Sequence, residues 1–467
     1  MKGEKIMEHY GIISVLPVLV ILVIAISTRK TLFAMLCGLS VACIILTPSF
    51  IDLPNTFVGY ICASFSNESM QWLCILIALF GILIALFEKS NAVIDFGNWL
   101  TKFVKTKRQA LVVTSIMGII IFLEDYLNNL TVGTTMKKVT DRLAIPREHL
   151  ALTVNGMAAP VCLLIPMSSW AVYYASLLED QGITANGTGL GAYIQGLPYA
   201  FYAWIMVIIV ILLAIGIFPK IGPLKKAYKR VEETGNIMPE GLEPIFVKDL
   251  QEDTAAEGHK PQPWNFLVPL IVMIAVTILM GIDVVVGTMA GLIVAIIMYM
   301  VQKKFTFKEL MEYSYEGILS MGFVFILTAL AFAVSTANTD LGLADFVIEV
   351  TLPVMKGGWL PAVTFLVCGI YAYATGCFWD LAVIITPIVI PLAQAMGVDP
   401  ILTAAAIFSG TALGSNTCLY GDGVILCSQG CEVRAHNLML TTLPYAIIAG
   451  VISVILYIIC GFTMGMA

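Results

Sequence analysis

Charge is what this chain has least of. Asp, Glu, Lys and Arg make up 12% of its 467 residues, against about 25% in an ordinary soluble domain, and no soluble surface can be assembled from so little. Histidine is nearly absent, with 4 in the whole chain. No paired His-Glu zinc signature, nucleotide-binding glycine loop or nucleophile–His pairing occurs in the apolar stretches, which argues against a membrane-embedded enzyme. Cys427 and Cys431 near His436 supply too few donors for a zinc site. The net charge of −6 is spread over loops and forms no basic face, which excludes nucleic acid as a partner.

What replaces charge is apolar length. Hydrophobic residues reach 59% and gather in runs such as Gly11–Ser27, Thr31–Thr47, Met70–Phe87, Tyr199–Phe218, Phe266–Gly281, Val284–Met300, Ile318–Val334 and Tyr445–Ile459. Most are of the roughly 17–25 residues that cross a bilayer. No small-residue cleavage site follows the first run before Arg29 and Lys30, so it reads as a retained helix. The lipid bilayer is the expected partner, and the fold class is an all-α polytopic membrane protein.

Basic residues set the orientation, because Lys and Arg flanking short loops stay in the cytoplasm. Simple crossings throughout would put the Arg108 and Lys137 clusters on opposite sides. If Leu111–Thr135 instead enters, turns at residues 124–129 and leaves by the same side, and Leu360–Gln394 does likewise from outside with its turn at 375–380, the conflict disappears. Of the 25 Lys and Arg residues, all but Lys2, Lys5 and Lys356 then lie in the cytoplasm. The expectation is two inverted repeats, each with five crossings, one of them discontinuous, and one re-entrant hairpin, with both termini outside. The repeats span 7–218, hairpin at about 109–140, and 264–467, hairpin at about 359–394; a solvated cytoplasmic linker, 219–263, joins them. Repeats of this kind bind substrate near the midplane at helix breaks, where freed carbonyls coordinate cations.

Polar groups in hydrocarbon cost several kcal/mol, about 2.5–3.5 for a charge at a helix centre, so each faces a partner or a cavity. The acids at depth are Glu124, Asp125, Asp380 and Asp422, and no Lys or Arg lies between Lys356 and Arg434 to neutralise the last two. A proton or a bound cation can. Candidate lining residues at the breaks are Asn128, Asn155, Ser168, Ser169, Thr375, Ser415, Asn416 and Thr417, with Na⁺ expected at Asp125, Asn155, Asp380 and Asp422. For Gly410 and Gly414 alone, close helix packing is the simpler reading. Tyr126, Trp170, Trp379 and Tyr420 sit at the same breaks as candidate aromatic contacts for an organic solute or a methylated amine.

These stretches resemble the NhaC-type sodium/proton antiporters of the ion transporter superfamily. The first half matches through Glu124-Asp125-Tyr126, Gly133-Thr134-Thr135-Met136, Thr140-Asp141-Arg142, Ala158-Ala159-Pro160 and Pro166-Met167-Ser168-Ser169-Trp170. The second matches through Ala374-Thr375-Gly376, Trp379, Gly414, Asp422, Ile425-Leu426 and Leu443-Pro444-Tyr445-Ala446. The chain departs from the family at 418–424, where only Asp422 of a hydroxyl-rich motif is kept, and at Phe378-Trp379-Asp380-Leu381, which gains a carboxylate. The resemblance implies Na⁺ or H⁺ as coupling ion, no other cofactor, an elevator movement, a homodimer and the bacterial inner membrane. Sodium/proton antiport is its default. Ion-coupled movement of a small organic acid, amino acid or amine is the alternative that the extra aromatics and lost hydroxyls favour.

Overall fold

The computed structural model describes residues 10–464 apart from 29, 240, 245–260, 282, 376–377 and 420, together with their side chains except those of 22, 25, 26, 31, 68, 69, 73, 324, 331, 375 and 378–380. Every named element is helical. The first half runs α1 (Leu16–Thr28), α2 (Thr31–Leu46), α3 (Leu53–Ser66), α4 (Glu68–Lys89), α5 (Ala92–Thr101), α6 (Lys107–Ile120), α7 (Asp125–Arg142), α8 (Arg147–Leu164), α9 (Ser169–Asp180), α10 (Gly189–Gly196) and α11 (Phe201–Ala214). After α12 (Gly222–Thr234) come α13 (Trp264–Leu279), α14 (Val284–Val301), α15 (Phe307–Ser320), α16 (Gly322–Asp340), α17 (Leu343–Thr351), α18 (Leu360–Thr375), α19 (Phe378–Ala395), α20 (Pro400–Thr417), α21 (Asp422–Cys431) and α22 (Ala435–Met464).

This is a multi-pass membrane protein. Met70–Lys89, Val284–Val301, Gly357–Ala374 and Ala435–Met464 are each long and apolar enough to span a bilayer. Three further spans arise if bent pairs count as one: α8 with α9 at 41°, Gly189–Tyr199 with α11 at 54°, and α15 with Phe325–Asp340 at 41°. Proline accounts for two of the breaks. Pro166 follows the end of α8 and Pro198 precedes α11, and a proline ring neither donates a backbone bond nor fits the preceding turn. Outward residues of α14 and α22, such as Ile293, Ile297, Ile452 and Ile455, are exposed in the chain alone, a surface that only lipid can cover.

Packing divides the helices into two bodies. In one, α1 pairs with α2 and α13 with α14, while α4 lies on α15 and α14, and α16 on α3 and α2. In the other, α7 lies on α21 and α8, α18 on α20 and α22, and α11 on α8 and α22. Helices α6 and α7 touch each other, as do α18 and α19. Short α5 and α17 occupy the same place in the two halves, and each is entered through a left-handed residue, Asn91 (φ 56°) and Gly342 (φ 65°). Among the described residues, few polar bonds join the bodies. One set centres on Asp180 at the end of α9, which accepts from Asn67 Nδ2 (3.1 Å) and Ser335 Oγ (3.3 Å).

The described part of the linker is not solvated throughout, which corrects the reading from sequence. Leu224, Ala227, Tyr228 and Val231 make one buried face of α12. Around it, Arg230 clamps Glu148 at 2.8 and 2.9 Å, the Tyr228 hydroxyl lies 2.7 Å from His149 Nδ1, and Ile221 N donates to the Tyr445 hydroxyl at 2.9 Å. Charge alone marked this segment as exposed; the helical spacing of its four apolar residues is what docks it on α8 and α22.

Backbone meets backbone closely between α4 and α15. A Cβ on Gly81 would lie 2.9 Å from the Gly317 carbonyl carbon and nearer still to its oxygen, and one on Gly317 would lie 2.7 Å from the carbonyl carbon of Gly81 and nearer to that oxygen. Neither neighbour is a side chain that can turn away. Gly81→Ala and Gly317→Ala should each destabilise the protein by about 1–3 kcal/mol, the usual cost of overpacking. Gly59→Ala, with open space around it, is the control. Thermal unfolding in detergent checks this; equal melting of all three variants would refute the contact.

Candidate functional site

Three helices begin beside one another. Helix α7 starts at Asp125 and is capped by Glu124, whose Oε2 accepts from Tyr126 N (2.6 Å) and Leu127 N (2.9 Å). Helix α9 starts at Ser169, capped by Ser168 Oγ, which accepts from Ala171 N at 3.1 Å. Helix α21 starts at Asp422 behind Gly421, which has no side chain with which to cap it. Each N-terminus carries unpaired N–H groups and about half a positive charge.

Asp125 is wholly buried. Its Oδ1 accepts from Trp170 Nε1 at 2.9 Å, while Oδ2 has no hydrogen-bond partner among the described residues. A Cβ on Gly423 would sit 3.4 Å from that Oδ2, 3.3 Å from Asn129 Nδ2 and 3.8 Å from Ser415 Oγ, so three polar side chains from α7 and α20 surround one point at the start of α21. Only glycine leaves that point open. The Asn129 Oδ1 is likewise buried without a partner, and a half-turn of the amide exchanges it with Nδ2.

Several backbone carbonyls at the breaks are already occupied. Asn128 Nδ2 donates to Gly118 O and Ile121 O, Cys162 Sγ to Phe122 O, Ser169 N to Leu123 O, Ser168 Oγ to Cys162 O and the Tyr193 hydroxyl to Leu163 O. Across the halves, Asn155 Nδ2 donates to Asn416 O (2.8 Å) and Asn416 Nδ2 to Asn155 O (2.6 Å).

The structure thus gathers Glu124, Asp125, Tyr126, Ser169, Trp170, Ser415 and Asp422, with Asn129 and Gly423, which sequence reasoning did not single out. Asn128, Ser168, Asn155 and Asn416 stand next to the site and hold its breaks closed. Thr417 Oγ1 bonds back to Leu413 O at 2.7 Å, on its own helix. Gly410 and Gly414 pack on α18, with Cβ positions 2.6 Å from Phe365 O and 2.8 Å from the Ala372 carbonyl carbon. The side chains of Thr375, Trp379 and Asp380, and the whole of Tyr420, lie outside the described residues.

Beside Asp125, between the two bodies, is a cavity of about 230 Å³. One wall is Glu124, Tyr126, Ser169, Val172, Tyr173 and Asp422; the other is Leu76, Ile77, Phe80, Ile84, Ser320, Met321 and Phe323. The Tyr126 hydroxyl donates to Asp422 Oδ2 at 3.3 Å across it.

Broken helices meeting around a buried, half-paired carboxylate, in an all-helical multi-pass membrane protein, define a secondary transporter. The chain belongs to the Na⁺/H⁺ antiporter family, whose sequence model matches residues 161–462. An uncharacterized protein of Haemophilus influenzae is 25% identical, with 96% of this chain and 91% of that protein covered. The crystal structure of the YdaH transporter of Alcanivorax borkumensis superimposes with a TM-score of 0.60 at 12% identity, covering 96% of this chain and 98% of that one. MtrF of Neisseria gonorrhoeae, from a class of antimetabolite efflux pumps, gives 0.58 at 14% identity over 88% and 84%. At such identities the likeness is one of fold. The family and these two solved structures are transporters or pumps rather than enzymes.

Trp170→Phe keeps the ring's bulk but removes the indole donor from Asp125 Oδ1. The expected loss is about 1–3 kcal/mol of stability, the desolvation penalty of an orphaned buried acceptor. A melting temperature equal to that of the wild type would show that the indole bond does not hold the carboxylate.

Proposed function

We propose that this protein exchanges Na⁺ for H⁺ across the bacterial inner membrane, as an ion-coupled secondary active transporter of the NhaC type. The observation that carries the reading is the unpaired Oδ2 of Asp125, aimed at the point it shares with Asn129 and Ser415. A carboxylate with one oxygen fixed by Trp170 and the other open can take a proton or a small cation, and each excludes the other. Hard oxygen donors of this kind suit Na⁺ better than a soft metal. Mutual exclusion at one carboxylate gives exchange when the protein changes face only with that carboxylate loaded, by one ion or the other.

The movement we assign is an elevator displacement of the body built from α6–α11 and α18–α22 against the body built from α1–α4 and α13–α16. Sparse polar bonds between the bodies, and a cavity lying between them, support it. The matched order of elements and the mirrored packing of α4 on α15 and α16 on α3 support two inverted repeats. On this reading α6/α7 and α18/α19 are the re-entrant hairpins, the termini face outward, Asp380 serves the second hairpin as Asp125 serves the first, and the working unit is a homodimer.

Exchange is read in proteoliposomes as Na⁺-driven proton movement. Asp125→Asn should abolish it, and Asn129→Ala should raise the half-saturating Na⁺ concentration roughly ten-fold, the loss of about 1.4 kcal/mol expected for a bond to a charged group. Full exchange by Asp125→Asn would sink the reading. For the topology, a cysteine at Lys138 should label only from the cytoplasm and one at Gln394 only from outside; labelling of Lys138 from outside would make α6/α7 an ordinary crossing.

A further inference from the structure

We infer that the cavity between the bodies is a binding site for a small amphipathic organic cation, an amine with one apolar substituent, and that Asp422 is its counter-ion. The inference rests on the transporter reading and adds a second ligand to it.

Glu124 and Asp422 line the cavity, and no Lys, Arg or His is among the lining residues. An organic anion would find no basic side chain here and would meet the Asp422 carboxylate, whereas an ammonium finds its counter-ion in it.

Shape and polarity come next. The volume of about 230 Å³ equals that of about eight waters at about 30 Å³ each, far more than a bare Na⁺ needs. The wall opposite the carboxylates is apolar, made by Leu76, Ile77, Phe80 and Ile84 of α4 with Phe323 of α16. A strongly hydrated inorganic ion gains nothing there, whereas an apolar group leaving water gains about 25 cal/mol per Å². Asp422 is exposed to the cavity, and its Oδ2 is oriented by the Tyr126 hydroxyl. Glu124, in contrast, spends Oε2 on capping α7. An ammonium on Asp422 with its substituent on the α4 wall uses both halves of the cavity, and Tyr126 and Tyr173 add aromatic surface of the kind that attracts cations.

Three probes of one shape separate the possibilities: benzylamine, benzyl alcohol and benzoate, each added to the purified full chain in detergent while thermal unfolding is followed. A ligand that binds only the folded protein raises its melting temperature with concentration. Benzylamine should do so, with an apparent affinity at least ten-fold weaker in Asp422→Asn and weaker in Phe323→Ala, while the other two have no effect at the same concentration. An equal effect of benzyl alcohol would mean apolar partition, an equal effect of benzoate would mean the wrong charge, and no effect of benzylamine would mean no site; each overturns the inference. Na⁺/H⁺ exchange is measured in parallel. Exchange without an amine effect removes the amine site alone, whereas an amine effect without exchange removes the antiport reading and leaves this one standing.

Discussion

The constraint on which everything else depends is that hydrocarbon offers no water to a backbone group released by a broken helix. A helix may stop at membrane depth only where protein supplies the missing partners. Here those partners are individual side chains: the Asn128 amide across the α6/α7 break, Ser168 and Tyr193 at the end of α8, and the exchanged amides of Asn155 and Asn416. The buried side-chain oxygens left without a partner at the site include Asp125 Oδ2, Asn129 Oδ1 and Ser169 Oγ. The site is where this hydrogen-bond account stays open.

That account explains how the two halves depend on each other. The Asn155–Asn416 pair joins α8 to α20 near the site, and Arg147, itself buried, joins α7, α8 and α21 at one end of the body through Asp141 at 2.5 and 2.6 Å and the Cys431 carbonyl at 2.7 Å. Glu432, which lies outside the spans, has its carboxyl held below the usual range by the hydrogen bond from Lys137, against partial desolvation. Removing one member of a buried pair costs far more than the pair contributes, since the survivor is left charged in a poor solvent. The other body also brings glycine backbones together, between α4 and α15, as Gly410 and Gly414 do against α18 in this one.

Much of this was legible in the chain. Scarce charge and long apolar runs gave the membrane, and the strings around Glu124 and Asp422 gave the family; the breaks were only partly placed, since α8 runs unbroken through Asn155-Gly156 and Pro160, and α20 through Ser409-Gly410, each helix ending later, at Leu164 and Thr417. The direction of each side chain was not legible. Asn129 follows Asn128 immediately, but neighbouring positions on a helix point about 100° apart, so one ties the break while the other meets Asp125. Trp170 read equally well as a substrate contact or as packing, and its role as a donor to Asp125 depends on how α9 returns beside α7. The apolar cavity wall was invisible for another reason: Phe80 and Leu76 stand in a run where nearly every residue is apolar. Docking of α12 was obscured by its many charges, although its apolar spacing was there to be read.

The bond from Trp170 to Asp125 has one more consequence. Among the described tryptophans this is the fully buried one, and its indole nitrogen touches the carboxylate proposed to take the ion. An indole's emission shifts with the electric field along its ring, so exchange at Asp125, as proposed, would alter the fluorescence of this one buried residue among the 7 tryptophans of the chain.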